Sequence, residues 1–260
     1  MPLDITSKQN SVYKELKQLV SNNKDYIFIE GKKIFEEALN SSVEIVKVFI
    51  DKSNENILKE LSKYKKSFEI IYMENSLISS LYSTTSKPEN KDLIFAIANR
   101  PKWELKDLFK SDKDLVCLEE IQDPGNLGMI FRSMVAFNGG GIILSKGSVD
   151  PFNTKVVRAS AGAVFKLPFV EINNFNDLQQ FAKSKKYEIV ATSSYATKSI
   201  SDLDLRQKII YLFGNEGKGL SDDIKQIASK EIKISHTKDV ESLNIAVAVS
   251  ILMWQSFSRK

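Results

Sequence analysis

The feature that most constrains the fold is a series of short, continuously apolar runs beginning at residue 114: "DLVCLEE", "GIILS", "YEIVATS", "IIYLFG" and "EIKIS". Strands of a sheet with one wet face alternate apolar and polar residues. Runs without alternation are what parallel strands need when both faces are covered. The segments between them carry helical spacing, so the chain from 114 onward predicts an α/β domain with a parallel sheet. Such a sheet binds ligands beyond the carboxyl ends of its strands. Three loops fall there: "QDPGNLG" (122–128), "SKGSVDP" (145–151) and "GNEGKGLS" (214–221).

The first hundred residues read as a smaller α/β unit. "SVYKELKQLV" (11–20) places Val12, Leu16, Leu19 and Val20 on one helical face, and "GKKIFEEALN" continues in helix period after Gly31. "VEIVKVFID" (43–51), "FEIIYM" (68–73) and "LIFAIA" (93–98) read as strands, with a Lys-rich helix over 53–66. The Pro-containing stretch "NRPKWEL" (99–105) breaks the pattern. The expected organisation is a domain over 1–100, a linker over 101–113 and a second domain over 114–260.

Charge excludes little. With 37 Lys and Arg against 33 Asp and Glu, the net charge of +4 permits a nucleic-acid partner without demanding one. Cys117 is the sole cysteine, so there is no disulfide framework and no Cys-based metal site; no metal is expected. The start lacks an apolar signal core, and no run approaches the ~20 apolar residues of a membrane span. A cytoplasmic protein without a membrane partner is expected. Lys59, Lys63, Lys65 and Lys66 form a solvated helix face before they form a phosphate site.

Only five residues are arginine: Arg100, Arg132, Arg158, Arg206 and Arg259. A planar fork suits phosphate in a way lysine cannot copy, so interior arginines invite a reason. In "DPGNLGMIFRSMVAF" (123–137), Pro124 suits a helix start and Asn126 can serve the first-turn amides. Gly128 lies four residues before Arg132, on one face, leaving room for a substrate backbone to approach. The plainer alternative is a packing glycine and an outward ion pair. In "NTKVVRASAGAVFKLPF" (153–169), Arg158 precedes a run of small residues that suits phosphate or carboxylate, or else a tightly packed helix end.

The loop "LFGNEGKGLS" (212–221) keeps Glu216 among three glycines. A Walker A motif would need lysine at position 220, which is Leu220, and Rossmann glycine spacing is absent. The acid disfavours a polyphosphate and favours a cationic or neutral ligand; an acidic β-turn is the plain alternative. Finally, "DVESLNIAVAVSILMWQ" (239–255) places Ser242 and Asn244, both able to cap, before a helix apolar almost all round. That helix is buried or lies at a subunit interface. His236, the only histidine, has no partner in the sequence and reads as structural.

In this order, "NLGMIFR", "FGNEGKGLS" and "ESLNIAVAVSI" resemble the three signature motifs of the SpoU-type (TrmH-like) RNA ribose 2′-O-methyltransferases of the SPOUT superfamily, and "VVRASAGAVFKLP" is similar to that family too. The resemblance spans 114–258, and more loosely the family's N-terminal RNA-substrate-binding domain. It implies a catalytic domain with a parallel sheet and a deep trefoil knot, a rare exception to the unknotted-chain rule. It implies S-adenosylmethionine as cofactor and a homodimer through the last helix. The sulfonium cofactor, cationic and free of phosphate, suits a loop containing a glutamate.

Position by position, the resemblance makes Asn126, Arg132, Glu216, Ser242 and Asn244 the active-site residues. It assigns cofactor binding to Phe213, Gly214, Asn215, Glu216, Gly217, Ile234, Ser242 and Leu243, and RNA contact to Arg132 and Arg158. Two departures stand out. Ser235 replaces the family's usual proline, which implies a changed loop, and "KPENKDLIFAIA" replaces the usual "PQG" pattern, which bears on RNA specificity. Ribosomal RNA is favoured as substrate over transfer RNA. The alternative of a catalytically silent RNA-binding assembly factor would require lost motif residues, and all five are present.

Overall fold

The apolar runs after residue 114 all become strands of one sheet. The computed structural model describes residues 4–22, 25–54, 57, 59, 61, 68–84, 89–204 and 206–259. Lys63, Lys65 and Lys66 of the Lys-rich run, and the start of "KPENKDLIFAIA", lie outside the described residues. The chain divides into two units: Met1–Pro101 with Phe152–Phe165, and Lys102–Pro151 with Lys166–Lys260.

The second unit is built on seven strands: β6 (Leu115–Leu118), β7 (Gly141–Ser145), β8 (Phe169–Ile172), β9 (Tyr187–Thr192), β10 (Lys198–Ser199), β11 (Lys208–Phe213) and β12 (Lys230–Lys233). Their order is β10-β12-β9-β11-β6-β7-β8, and every neighbouring pair is parallel. β6 and β7 are buried throughout, and β11 is buried beyond its first residue. β12 is half-covered near the edge, so its "EIKIS" is less interior than its composition implies. β8 and β10 were not anticipated: β8 is a four-residue run after Pro168, and β10 is two residues long.

Residues 101–113 are not a linker in the packing sense. Leu108 and Phe109 are buried in the second unit's core with Ile189, Leu178 and Tyr187, and Phe109 meets Tyr187 edge-on at 5.0 Å. Apolar side chains at that spacing have nowhere better to go than the neighbouring core. Buried Cys117 sits in the same cluster, and burial pushes its thiol well above the ordinary range.

The first unit carries β1 (Asp4–Ile5), β2 (Tyr26–Glu30), β3 (Ile45–Ile50), β4 (Glu69–Met73) and β5 (Ile94–Asn99) in the order β1-β4-β3-β5-β2. β5 pairs antiparallel with β2 and β3, whereas β4 pairs parallel with β1 and β3. The segment 152–165 packs within this unit, although a domain continuous over 114–260 was expected to hold it. Its close approach is visible at Gly162, which has φ +82°. A Cβ there would lie 2.5 Å from Cβ of Glu37.

Candidate active site

Loops at the carboxyl edge of the parallel sheet build one pocket of about 590 Å³, and three of them carry the motif residues. The first leaves β6. Asp123 caps the helix Pro124–Ala136 by accepting from the backbone N–H of Asn126 at 2.7 Å, with Pro124 at the first helical position. Asn126 was expected to cap this helix and does not. Asp123 does that work, so the Asn126 side chain is left for another task.

The second loop leaves β11. Gly214 is required by close approach, because a Cβ there would lie 2.0 Å from the carbonyl carbon of Gly219. The backbones of Asn215 and Gly219 exchange two hydrogen bonds, at 3.1 and 2.9 Å, and close the loop. Inside it the Asn215 carboxamide oxygen accepts from the N–H groups of Gly217 and Lys218, while its NH₂ donates to the Glu120 carbonyl at 3.0 Å. The far end is tied by Glu119, whose carboxylate accepts from the backbone and hydroxyl of Ser221. The loop is thus pinned on both sides, with Glu216 at its tip.

The third loop follows β12 and leads into the helix Ile245–Arg259. Asn244 caps that helix, its Oδ1 accepting from Ala246 at 2.9 Å and Val247 at 3.3 Å. Its NH₂ donates to Asn126 Oδ1 at 2.9 Å, and Asn126 Nδ2 donates to Glu216 Oε1 at 3.1 Å. A continuous chain of hydrogen bonds therefore runs from a helix N-terminus through two carboxamides to the carboxylate. Each carboxamide has both ends committed, so its orientation is determined by its partners. The capping role and the site role of Asn244 are one arrangement.

Of the residues expected in the site, Asn126, Phe213, Gly214, Asn215, Glu216, Gly217, Ile234, Ser242, Leu243 and Asn244 all line this pocket. Two arginines do not. Arg132 lies six residues along the helix from Asn126, about 9 Å further on. It is exposed and has no hydrogen bond or ion pair among the described residues. Gly128 is buried, so the shared open face expected for it and Arg132 is absent.

Arg158 lies in the first unit. Its Nη1 donates to Glu30 Oε2 at 3.0 Å and to Ser83 Oγ at 2.6 Å. The Glu30 side chain is only 3% exposed, so this ion pair compensates a buried charge.

The pocket also gathers residues not expected in it, among them His236, which the sequence suggested to be structural. Thr192, Ser193, Ser194 and Tyr195 enter from the end of β9, and Lys225, Glu241 and His236 from later segments. The signal for the first group was available, because β9 ends at the same sheet edge as β11. Ionisable groups of both signs line the space, Glu216 and Glu241 against Lys218 and Lys225. No arginine does. Among the described residues, no group of three or more His, Cys, Asp or Glu is arranged to hold a metal ion.

Comparison with known proteins places this geometry. The model of the SpoU rRNA Methylase family matches residues 114–254. An uncharacterized tRNA/rRNA methyltransferase of Synechocystis is 35% identical over 139 residues, a match covering 54% of this chain and 51% of that protein, about half its length. The 23S rRNA (guanosine(2553)-2′-O)-methyltransferase RlmP of Bacillus subtilis is 26% identical over 96% of this chain and 97% of its own. In structure, the SpoU methyltransferase AviRb of Streptomyces viridochromogenes, solved with AdoMet, shares the fold. It gives a TM-score of 0.86 at 22% identity over 96% of this chain and 98% of that one. The chain belongs to the SpoU rRNA Methylase family.

Proposed function

We propose that this protein transfers a methyl group from S-adenosylmethionine to a ribose 2′-hydroxyl in RNA, with ribosomal RNA favoured over transfer RNA. The observation that carries the reading is the chain Asn244–Asn126–Glu216, which brings the three motif loops together at one pocket. The pocket fits the cofactor: its volume suits a small organic ligand, and Phe213, Leu220, Ile234 and Leu243 give it apolar walls. Glu216 suits a positive centre and repels a polyphosphate. When bound, the cofactor supplies an electrophilic methyl group on a sulfonium. The protein's part is orientation: Asn126 and Asn244 hold Glu216 still, and the closed 214–219 loop presents backbone groups to the ligand.

Arg132 stands outside the pocket and is unengaged, as a group that meets RNA should be. We assign it to clamping the phosphate beside the target ribose and stabilising the developing alkoxide, with the proton passing to water or another group. A free guanidine base is a poor alternative, because arginine stays protonated in proteins. Residues 1–100 are assigned to RNA substrate binding, and the chain over 114–260 to the trefoil-knotted catalytic domain of the family, with its segment 152–165 packed in the first unit. Homodimerisation through the last helix is supported by Val247, Trp254 and Phe257, exposed there beside exposed Met129 and Val135 of the helix packed against it. The protein would act in the cytoplasm; among the described residues no helix is long and apolar enough to cross a membrane.

Methyl transfer from labelled S-adenosylmethionine into unmodified ribosomal RNA and unmodified transfer RNA, side by side, tests this reading. Label in the ribosomal pool at a ribose 2′-oxygen is the expected result. Label in transfer RNA alone overturns the substrate class. Failure of the protein to bind the cofactor overturns the enzyme reading and favours a silent RNA binder.

A further inference from the structure

The only histidine of the chain, His236, lines the pocket, although nothing in the sequence ties it to the site. Its Nδ1 lies 2.8 Å from the carbonyl oxygen of Ile234. A carbonyl oxygen only accepts, so Nδ1 carries the hydrogen and donates, and the ring is held in one tautomer. Nε2 is then an acceptor, and it has no partner among the described residues.

Its position along the pocket follows from the sheet. Glu216 is the third residue after β11 and His236 the third after β12, with β9 between those strands. Two strand spacings separate the loops by about 10 Å. Glu216 marks the reacting end, because Asn126 reaches it from the β6 side. His236 therefore stands one adenosine-length away, at the opposite end. Ile234 and Leu243 supply the pocket with apolar side chains suited to the faces of a flat ring.

We propose that His236 reads the adenine of the cofactor, its Nε2 accepting a hydrogen bond from the exocyclic amine and selecting adenine against a purine with a carbonyl there. The proposal rests on the pocket being the S-adenosylmethionine site. Inosine places an acceptor where adenosine places a donor, so the two lone pairs would face each other. Other ionisable groups lining the same space are Glu216 and Lys218 from the β11 loop, Lys225 from the helix after it, Glu241 from the third loop and Tyr195 from the β9 loop.

The test is calorimetric binding of S-adenosylhomocysteine and S-inosylhomocysteine to the wild type, His236→Leu and His236→Gln at pH 8. One neutral hydrogen bond corresponds to about a 5–10-fold change in affinity. The wild type should prefer the adenosyl ligand by at least that factor. His236→Leu should weaken adenosyl binding by that factor, leave inosyl binding unchanged and lose the preference; His236→Gln, which keeps an acceptor, should recover part of it. Equal losses for both ligands in His236→Leu, or no loss at all, would overturn the assignment. If the wild type binds neither ligand, the cofactor reading itself fails, an outcome distinct from failure of the histidine's role. The amino-acid arm is checked with 5′-methylthioadenosine, which lacks it: the same His236→Leu loss should appear, and its absence would place His236 at the other arm and overturn the adenine assignment.

Discussion

Each unit presents an arginine near the middle or end of a helix, Arg158 in the first and Arg132 in the second, and the two are used in opposite ways. In the first unit Arg158 is spent on structure: it neutralises Glu30, whose side chain is buried at the end of β2, and holds Ser83 as well. In the second unit Arg132 is exposed and unengaged, while the polar groups of the adjacent pocket satisfy one another through Asn126, Asn244 and Glu216. Arg158 commits Nη1 to a buried carboxylate and a hydroxyl, and an arginine anchored in that way contributes to stability. One whose donors are free contributes little to stability and everything to whatever arrives. The difference lies in the partner, a carboxylate 128 residues away in sequence.

The comparison breaks or sharpens with substitution, the largest effect first. Arg132→Ala should cut methyl transfer by about a thousandfold, the scale of losing a preorganised charge donor. Its unfolding free energy should change by less than about 0.5 kcal/mol, as for an exposed site. Arg132→Lys should behave nearly as badly, because it keeps charge but not the fork; substantial residual activity would count against the clamp. Gly214→Ala should reduce cofactor affinity by about a hundredfold, since its methyl would overlap the Gly219 backbone and displace the loop. Calorimetry measures that loss, and wild-type affinity would refute the close approach.

Arg158→Ala should do the reverse of Arg132→Ala. Denaturant unfolding should report a loss of about 2–3 kcal/mol, below the full cost of breaking a buried pair because the Arg158 side chain is 32% exposed. Adding Glu30→Gln should recover part of it, because no charge is then stranded. Asn244→Ala removes a helix cap, costing about 1 kcal/mol in the same assay, and should lower activity well beyond that by releasing Asn126. The smallest effect concerns Cys117: burial raises its thiol, so alkylation should be absent from the folded protein and appear with unfolding.

What the sequence disclosed follows the same division between local and distant causes. β6, β7, β9, β11 and β12 were legible because their apolar runs are local. β2, "YIFIE", was not, since a five-residue run with its last four residues buried has no periodicity to separate strand from helix turn. The pocket loops were legible through their glycines and the resemblance of their motifs. That Asp123 rather than Asn126 caps the helix was also readable, from the proline that follows it. The placing of residues 152–165 in the first unit and the pairing of Arg158 with Glu30 were not, because both depend on elements far apart in the chain. His236 escaped for a similar reason: its only partner among the described residues is a backbone carbonyl, and what it faces is set by strand order.

The most direct test of the account is single-turnover methyl transfer to ribosomal RNA by the wild type, Arg132→Ala and Arg158→Ala, with cofactor binding and melting measured on the same preparations. The account predicts a 2′-O-methylated ribose from the wild type, and a silent Arg132→Ala that binds cofactor and melts normally. It predicts an Arg158→Ala that is less stable yet active at temperatures where it is folded. Activity of Arg132→Ala within tenfold of the wild type, or methyl label on a base instead of a ribose oxygen, would contradict it.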